Sequence, residues 1–236
     1  MSLKNWDNKT WLSSKNYIES FNIFLLNQVK LNSNSHILDI GCGRGKILGS
    51  LYSSLKLKYK PIGVDIESHK DKDKRIQFKK IDAIRYLKSN KKKFDLILIK
   101  QTIHLFNFDK IKKLVSISKS KLNKRGKILI FTLATSKNEI PTFLLMEKKL
   151  KISLGRDKKI IQLLLKIYPR SKKKRFSFKV KISRRKYVEM IKKRYISTLL
   201  SFSNRQIFDG IDEINLKYKK MLNFNDKLVC LILNNN

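Results

Sequence analysis

The chain has 236 residues, 42% of them hydrophobic, and carries 55 Lys+Arg against 18 Asp+Glu, a formal net charge of +37. That length supports one domain with an elaboration and a sizeable core, and no apolar run reaches the roughly 18 residues of a membrane span. Two cysteines, Cys42 and Cys230, exclude a disulfide framework or a cysteine-based zinc site. The polar stretch Met1 to Trp11 lacks the apolar centre of a signal peptide, so a cytoplasmic protein is expected.

Tyr17, Ile18, Phe21, Phe24, Leu25 and Val29 recur at helical spacing, which predicts an amphipathic helix over 15–30 with Ser13 or Ser14 as its cap. Ile37 to Ile40 reads as a buried strand. Gly41, Gly43 and Gly45 follow in alternation, and Ile47, Leu48, Leu51, Tyr52 and Leu55 restore helical spacing. The glycines therefore sit on a strand-to-helix turn. There they permit φ > 0 and let a ligand approach the main chain, while the helix behind them offers free N–H groups. The spacing is not the dinucleotide fingerprint G-x-G-x-x-G. The third glycine comes one residue early, and Lys46 stands where that fingerprint has glycine.

A second strand over 61–65 ends in Asp65, which follows Gly45 by 20 residues. In an alternating β/α fold this places a carboxylate beside the glycine turn, where it can accept ribose hydroxyls. A third strand spans 75–81. Asp82 lies just past it, as a helix cap for 84–87 or as a ligand group. Phe94 to Ile99 is a fourth, buried strand. Ile111, Leu114, Val115 and Ile117 mark a helix, and Lys124-Arg125-Gly126 turns into a fifth strand over 127–132.

Beyond 133 the spacing predicts helices over 143–154 and 158–168, the second ended by Pro169, and a basic loop over 171–175. Phe176, Phe178, Val180 and Ile182 alternate as a strand. Helices capped by Ser183 and Ser203 run to 194 and 218, and the last strand covers 227–233. On the 183–194 helix, Arg184, Tyr187, Arg194 and Tyr195 share one face approximately.

Asp39-Ile40-Gly41-Cys42-Gly43-Arg44-Gly45 resembles motif I of the class I S-adenosylmethionine-dependent methyltransferases. Phe94-Asp95-Leu96-Ile97-Leu98-Ile99, running into a segment with His104, resembles motif IV of their type-11, small-molecule branch. Lys124-Arg125-Gly126 is similar to the family's glycine turn, with Arg125 in place of the first glycine. The resemblance implies an α/β fold: a Rossmann-like, seven-stranded, mostly parallel sheet with helices on both faces, an antiparallel last strand and a helical cover inserted after the fifth strand. It divides the single domain into an N-terminal helical cap (1–34), a donor-binding core (35–133), a substrate cover (134–223) and the last strand (224–236), with that strand at the far side of the sheet.

The implied cofactor is S-adenosylmethionine, with no metal. Its methionine half carries an ammonium and a sulfonium, which a carboxylate at Asp39 favours. The implied donor-binding residues are Asp39, Gly41, Gly43, Gly45, Asp65, Ile66, Asp82, Ala83 and Gln101. Asp82 and Ala83 would meet adenine, and the aromatics Trp6, Trp11 and Tyr17 would close over the methionine end.

Methyl transfer is an in-line substitution in which the enzyme positions two substrates and excludes water. His104 is the candidate base. Arg194 and Tyr195 are the candidate grip on the acceptor, because guanidinium holds carboxylate or phosphate bidentately. This points to a small, anionic acceptor, as in the trans-aconitate methyltransferase-like enzymes that the chain distantly resembles. The strong positive charge makes an RNA methyltransferase the alternative. Against it, the lysines are spread along the whole chain, and no Asn-Pro-Pro-Tyr-like motif or catalytic cysteine pair is present. No membrane partner is expected.

Overall fold

The computed structural model describes residues 10–235, so Trp6 lies outside the described residues. In chain order the elements are α1 (Lys15–Leu26), β1 (Ile37–Ile40), α2 (Lys46–Ser54), β2 (Ile62–Asp65), β3 (Gln77–Lys80), α3 (Ala83–Ser89), β4 (Phe94–Lys100), α4 (Phe108–Ser120), β5 (Leu122–Leu133), α5 (Leu144–Ile167), β6 (Lys172–Ser183), α6 (Arg184–Lys192), α7 (Asn204–Lys217) and β7 (Met221–Asn234).

All seven strands join one sheet in the order β3-β2-β1-β4-β5-β7-β6. β1 to β5 pair in parallel, and β7 is antiparallel to both its neighbours, so it alone runs against the other six. The chain winds outward from β1 in one direction and from β4 in the other. That reversal leaves a crevice at the carboxyl ends of β1 and β4, where open α/β sheets bind ligands.

Alternation along the strands feeds two cores. Ile37, Leu96, Leu98, Leu129 and Phe131 face one layer, made with α1, α2, α6 and α7. Leu38, Ile40, Ile97, Ile99, Ile128 and Ile130 face the other, made with α3, α4 and the second half of α5. Helices therefore cover both faces, as the resemblance implied. The caps expected at Ser183 and Ser203 form, and Ser203 makes a full capping box with Gln206.

The C-terminal half departs from the sequence expectation at four places. The helices expected over 143–154 and 158–168 are one 24-residue helix, α5. Gly155 falls in the gap between the two expected helices and is exposed, but the helix runs through it, held by a buried stripe on its other side that includes Met146, Leu150, Leu154, Ile161 and Leu164. A glycine inside a helix costs only about 1 kcal/mol relative to alanine. The expected basic loop over 171–175 is largely strand: Lys172 to Arg175 pair with Ile232 to Val229 of β7. Their side chains are exposed on the sheet's edge, where charge discourages pairing with another chain. β6 therefore interrupts the expected helical cover, and it takes the outer position expected of β7. Finally, the turn at Lys124-Arg125-Gly126 lies within β5, which begins at Leu122 and shifts register against β4 between Phe94 and Leu96. Gly126 is required there, because a Cβ would sit 2.6 Å from the Phe94 carbonyl oxygen.

Of the N-terminal aromatics, Trp11 and Tyr17 belong to the core rather than to a lid. Tyr17 is fully buried against Phe21, Phe176 and Phe178. Trp11, 7% exposed, packs against Tyr187, Tyr195 and Phe224 and donates its indole N–H to Asp226 Oδ2 at 2.9 Å. Among the described residues, no helix is long and apolar enough to cross a membrane.

Candidate functional site

The end of β1 turns sharply because Gly41, Gly43 and Gly45 all adopt positive φ, at 73°, 53° and 70°. The turn is pinned from β2: Gly41 N–H donates to the Val64 carbonyl at 2.8 Å, and Gly43 N–H donates to Asp65 Oδ2, also at 2.8 Å. A Cβ on Gly41 would lie 2.2 Å from Thr102 Oγ1, so the space beside the turn is filled from the β4 side. Arg44, within the turn, fastens to both carboxylate oxygens of Asp71 at 2.7 and 2.8 Å.

A cleft of about 770 Å³ opens over this turn, within the range of roughly 300–1,000 Å³ typical of small-molecule sites. All nine residues expected to hold the donor line it: Asp39, Gly41, Gly43, Gly45, Asp65, Ile66, Asp82, Ala83 and Gln101. Asp65 holds the Gly43 and Glu67 amides, one on each oxygen, at 2.8 and 3.0 Å. Each oxygen keeps a further lone pair. Asp82 caps α3, its Oδ1 accepting from Arg85 N–H at 2.9 Å.

Asp39 is the unusual member. It is 4% exposed, and its Oδ1 has no hydrogen-bond partner among the described residues. Burial, with help from Asp65 and opposed by Lys100, pushes its carboxyl up to about 7. A buried carboxyl without a donor fits a ligand that brings a cation. Main chain cleared of side chains at three positive-φ glycines fits a ligand that lies against the backbone. These residues thus suit S-adenosylmethionine.

Lys100 was not expected. It closes β4, donates to Gln101 Oε1 at 3.1 Å, and lies 5.3 and 5.4 Å from the ring centroids of Tyr17 and Phe21. Burial pulls its ammonium down to about 8, while Asp226 and Asp39 hold it up. The signal was a lysine directly after the apolar run Leu96 to Ile99. The next residue, Gln101, has φ 52° without being glycine. Such backbone is costly and concentrates at functional sites.

Gln101 also borders a second cavity of about 90 Å³, which shares it and Leu12 with the cleft. Trp11, His104, Arg156, Asp157, Tyr195 and Asp226 contribute to its walls. His104 thus lies on this cavity and not on the donor cleft. Burial, reinforced by Arg156, lowers its imidazole to about 4, so it is neutral at physiological pH.

The expected grip by Arg194 and Tyr195 does not form as one helix face. α6 ends at Lys192, and Arg194 follows in left-handed backbone, φ 51°. Its guanidinium donates to the Phe202 carbonyl at 2.8 Å and to Asn204 Oδ1 at 3.1 Å, and it lines neither cavity. Tyr195 does reach the second cavity, with its hydroxyl 2.9 Å from that of Tyr187. Arg184 is spent on the carbonyls of Asn215 and Tyr218.

A family model described as a methyltransferase domain matches residues 31–167. Among solved structures, the plantazolicin methyltransferase BpumL in complex with a pentazolic desmethylPZN analog and SAH is 19% identical. It has a TM-score of 0.55, with 98% of this chain and 88% of that one covered. The plantazolicin methyltransferase BamL, with a triazolic analog and SAH, is 17% identical at a TM-score of 0.54, over 98% and 88%. A SAM dependent methyltransferase from Archaeoglobus fulgidus is 22% identical at a TM-score of 0.53, over 94% of each chain. These likenesses are likenesses of fold. A comparison with curated protein sequences returns no significant match.

Proposed function

Because the chain belongs to the methyltransferase domain family, whose members are class I S-adenosylmethionine-dependent enzymes, we propose that it methylates a small molecule whose reactive end enters the second cavity. The observation that carries this choice of acceptor is the cavity's size. At about 90 Å³ it is smaller than the roughly 150 Å³ that accommodates benzene. An extruded nucleobase, which RNA-modifying enzymes must seat, is too large for it.

When bound, S-adenosylmethionine supplies a methyl carbon on a sulfonium leaving group. The protein's residues position and shield. Asp39 offers its unpaired Oδ1 to the donor's ammonium, in a site where pairing is strengthened by the absence of water. The positive-φ glycines let the main chain lie against the donor. Asp65 keeps lone pairs for ribose hydroxyls, and Asp82 and Ala83, on the cleft wall, are assigned to the adenine in this reading. Gln101 stands on the border of cleft and cavity. Trp11, Leu133, Ile140, Leu150 and Tyr195 keep water from the acceptor. His104, lowered to about 4, is too weak a base to drive the reaction near neutrality, and we give it an orienting role. Arg194 has no part in this reading, which removes the main reason to expect an anionic acceptor.

The formal charge of +37 favours RNA as the second reading. One experiment separates them. The protein is incubated with methyl-labelled S-adenosylmethionine and a fractionated cell extract. Label in the small-molecule fraction is the expected result, and label confined to RNA overturns the proposal.

A further inference from the structure

The buried stripe of α5 runs Met146, Leu150, Leu154, Asp157, Ile161, Leu164. One position of an apolar stripe is therefore an acid. Asp157 is 5% exposed, lines the second cavity, and makes no hydrogen bond among the described residues; its Oδ1 is fully shielded. That oxygen loses its water without gaining a partner, an arrangement native proteins avoid unless something else uses the group.

The surrounding groups do not supply that partner. Arg156 is exposed and donates to the Phe106 carbonyl at 2.7 Å. Asp226 takes the Trp11 indole, the Tyr195 hydroxyl is engaged with Tyr187, and Gln101 Oε1 accepts from Lys100. Asp157 is thus the acid of this cavity left without a donor. The cavity offers it as an acceptor of hydrogen bonds, facing a space that shares Gln101 and Leu12 with the donor cleft as wall residues.

We infer that Asp157 holds the methyl acceptor, and that the acceptor is a small alcohol or neutral amine that donates its nucleophilic O–H or N–H to this carboxylate. The inference rests on the small-molecule reading above and narrows it. A carboxylic acid acceptor would meet like charge at Asp157, and among the described residues the cation on the cavity wall, Arg156, is exposed and bonded to the Phe106 carbonyl.

The step balances as follows. The nucleophilic oxygen or nitrogen uses a lone pair to bond the methyl carbon. The carbon–sulfur bond breaks with its electron pair on sulfur, leaving a neutral thioether. The O–H or N–H proton passes to Asp157, which becomes a carboxylic acid and returns the proton to solvent as product leaves. Burial already holds the Asp157 carboxyl near 7, against the pull of Arg156. That suits a base working near neutrality.

The test has two arms. In the first, wild-type protein labels the small-molecule fraction of an extract from methyl-labelled S-adenosylmethionine, and the product is treated with mild alkali. Ethers and methylated amines keep their label. Methyl esters release it as volatile methanol, and alkali-labile label overturns the inference while leaving the small-molecule reading intact. Label only in RNA breaks the small-molecule reading itself. In the second arm, Asp157→Asn and Asp157→Leu are compared with wild type. Transfer falls by about 100-fold or more, the size of a lost general base. Affinity for S-adenosylhomocysteine stays unchanged, and Tm holds or rises, because a buried unpaired acid has been removed. Wild-type transfer rates in Asp157→Asn, or a large fall in Tm in both variants, return Asp157 to a structural role and overturn the inference.

Discussion

The donor cleft and the cavity proposed for the acceptor touch at Gln101, yet they are built by opposite means. The cleft is made of main chain and short-range turns. Its glycines, Asp39 and Asp65 sit at the ends of adjacent parallel strands within 27 residues of each other. The cavity is made of side chains drawn from α5, the β4–α4 turn and both ends of the chain. Trp11 and Asp226, 215 positions apart, meet in one hydrogen bond. A site of the first kind is fixed by backbone geometry and tolerates almost no added atoms. A site of the second kind is fixed by packing and can change its ligand by changing one side chain.

The largest expected effect tests the first half of that contrast. Gly41→Val puts a side chain where Thr102 Oγ1 already lies 2.2 Å from a Cβ, on backbone at φ 73°. Binding of S-adenosylhomocysteine should vanish in calorimetry. Gly155→Ala is the matched control: nothing lies within 4 Å of its Cβ position, so stability should rise by about 0.5–1 kcal/mol with no change in binding. Equal loss of binding in both variants would mean that the turn has no special role.

Asp65→Ala removes side-chain oxygens that hold Gly43 and Glu67 and that are proposed to meet the ribose. Affinity for the donor product should fall by roughly 1–3 kcal/mol, the scale of hydrogen bonds to a charged group. Unchanged affinity would remove Asp65 from the site.

On the acceptor side the ordering of effects should reverse, with stability moving and donor affinity not. Trp11→Phe leaves Asp226 without its indole donor in a site where burial already raises its carboxyl. Unfolding monitored by heat should show a loss of roughly 1–3 kcal/mol, a fall in Tm of several degrees. Weaker donor binding with Tm unchanged would instead make Trp11 a lid over the donor, as its position before the glycine turn first suggested.

This contrast also explains what could be read from the sequence. The glycine turn, Asp65 and the five parallel strands were legible because each is a local pattern, with period two or a short spacing. β6 was half read, because Lys172 to Arg175 look like loop until β7 is known to extend far enough to pair with them. Arg194 was misplaced by a helix extended two residues too far. α6 ends at Lys192, and the left-handed backbone at Arg194 turns the guanidinium away. Lys100 and Asp157 did leave a trace, each a charge at an apolar position of its element. Such a trace marks a buried group without saying which distant residues surround it.

The smallest expected effect, and the sharpest, lies at Asp39, where affinity and stability should respond to pH in opposite directions. In the donor-free protein its carboxyl is raised from 3.8 to about 7, chiefly by burial. In the proposed site only the carboxylate would pair with the donor's ammonium, so affinity for S-adenosylhomocysteine should be highest above pH 7. It should fall by up to about tenfold as pH drops from 8 to 6. Protonation of Lys100, held near 8, acts in the same direction by adding positive charge to the cleft. Stability runs the other way. A raised carboxyl favours folding below its ordinary value, and that contribution is lost as pH rises through about 7. Donor-free wild type should therefore lose stability relative to Asp39→Asn between pH 4 and pH 7, and the difference should level off above. Asp157 contributes a drift of the same sign to both proteins, so it cancels in the comparison. A pH-independent gap in Tm between wild type and Asp39→Asn, together with flat binding, would mean that Asp39 is ionised throughout and already paired, and the cation-seeking carboxyl would have to be sought elsewhere in the cleft.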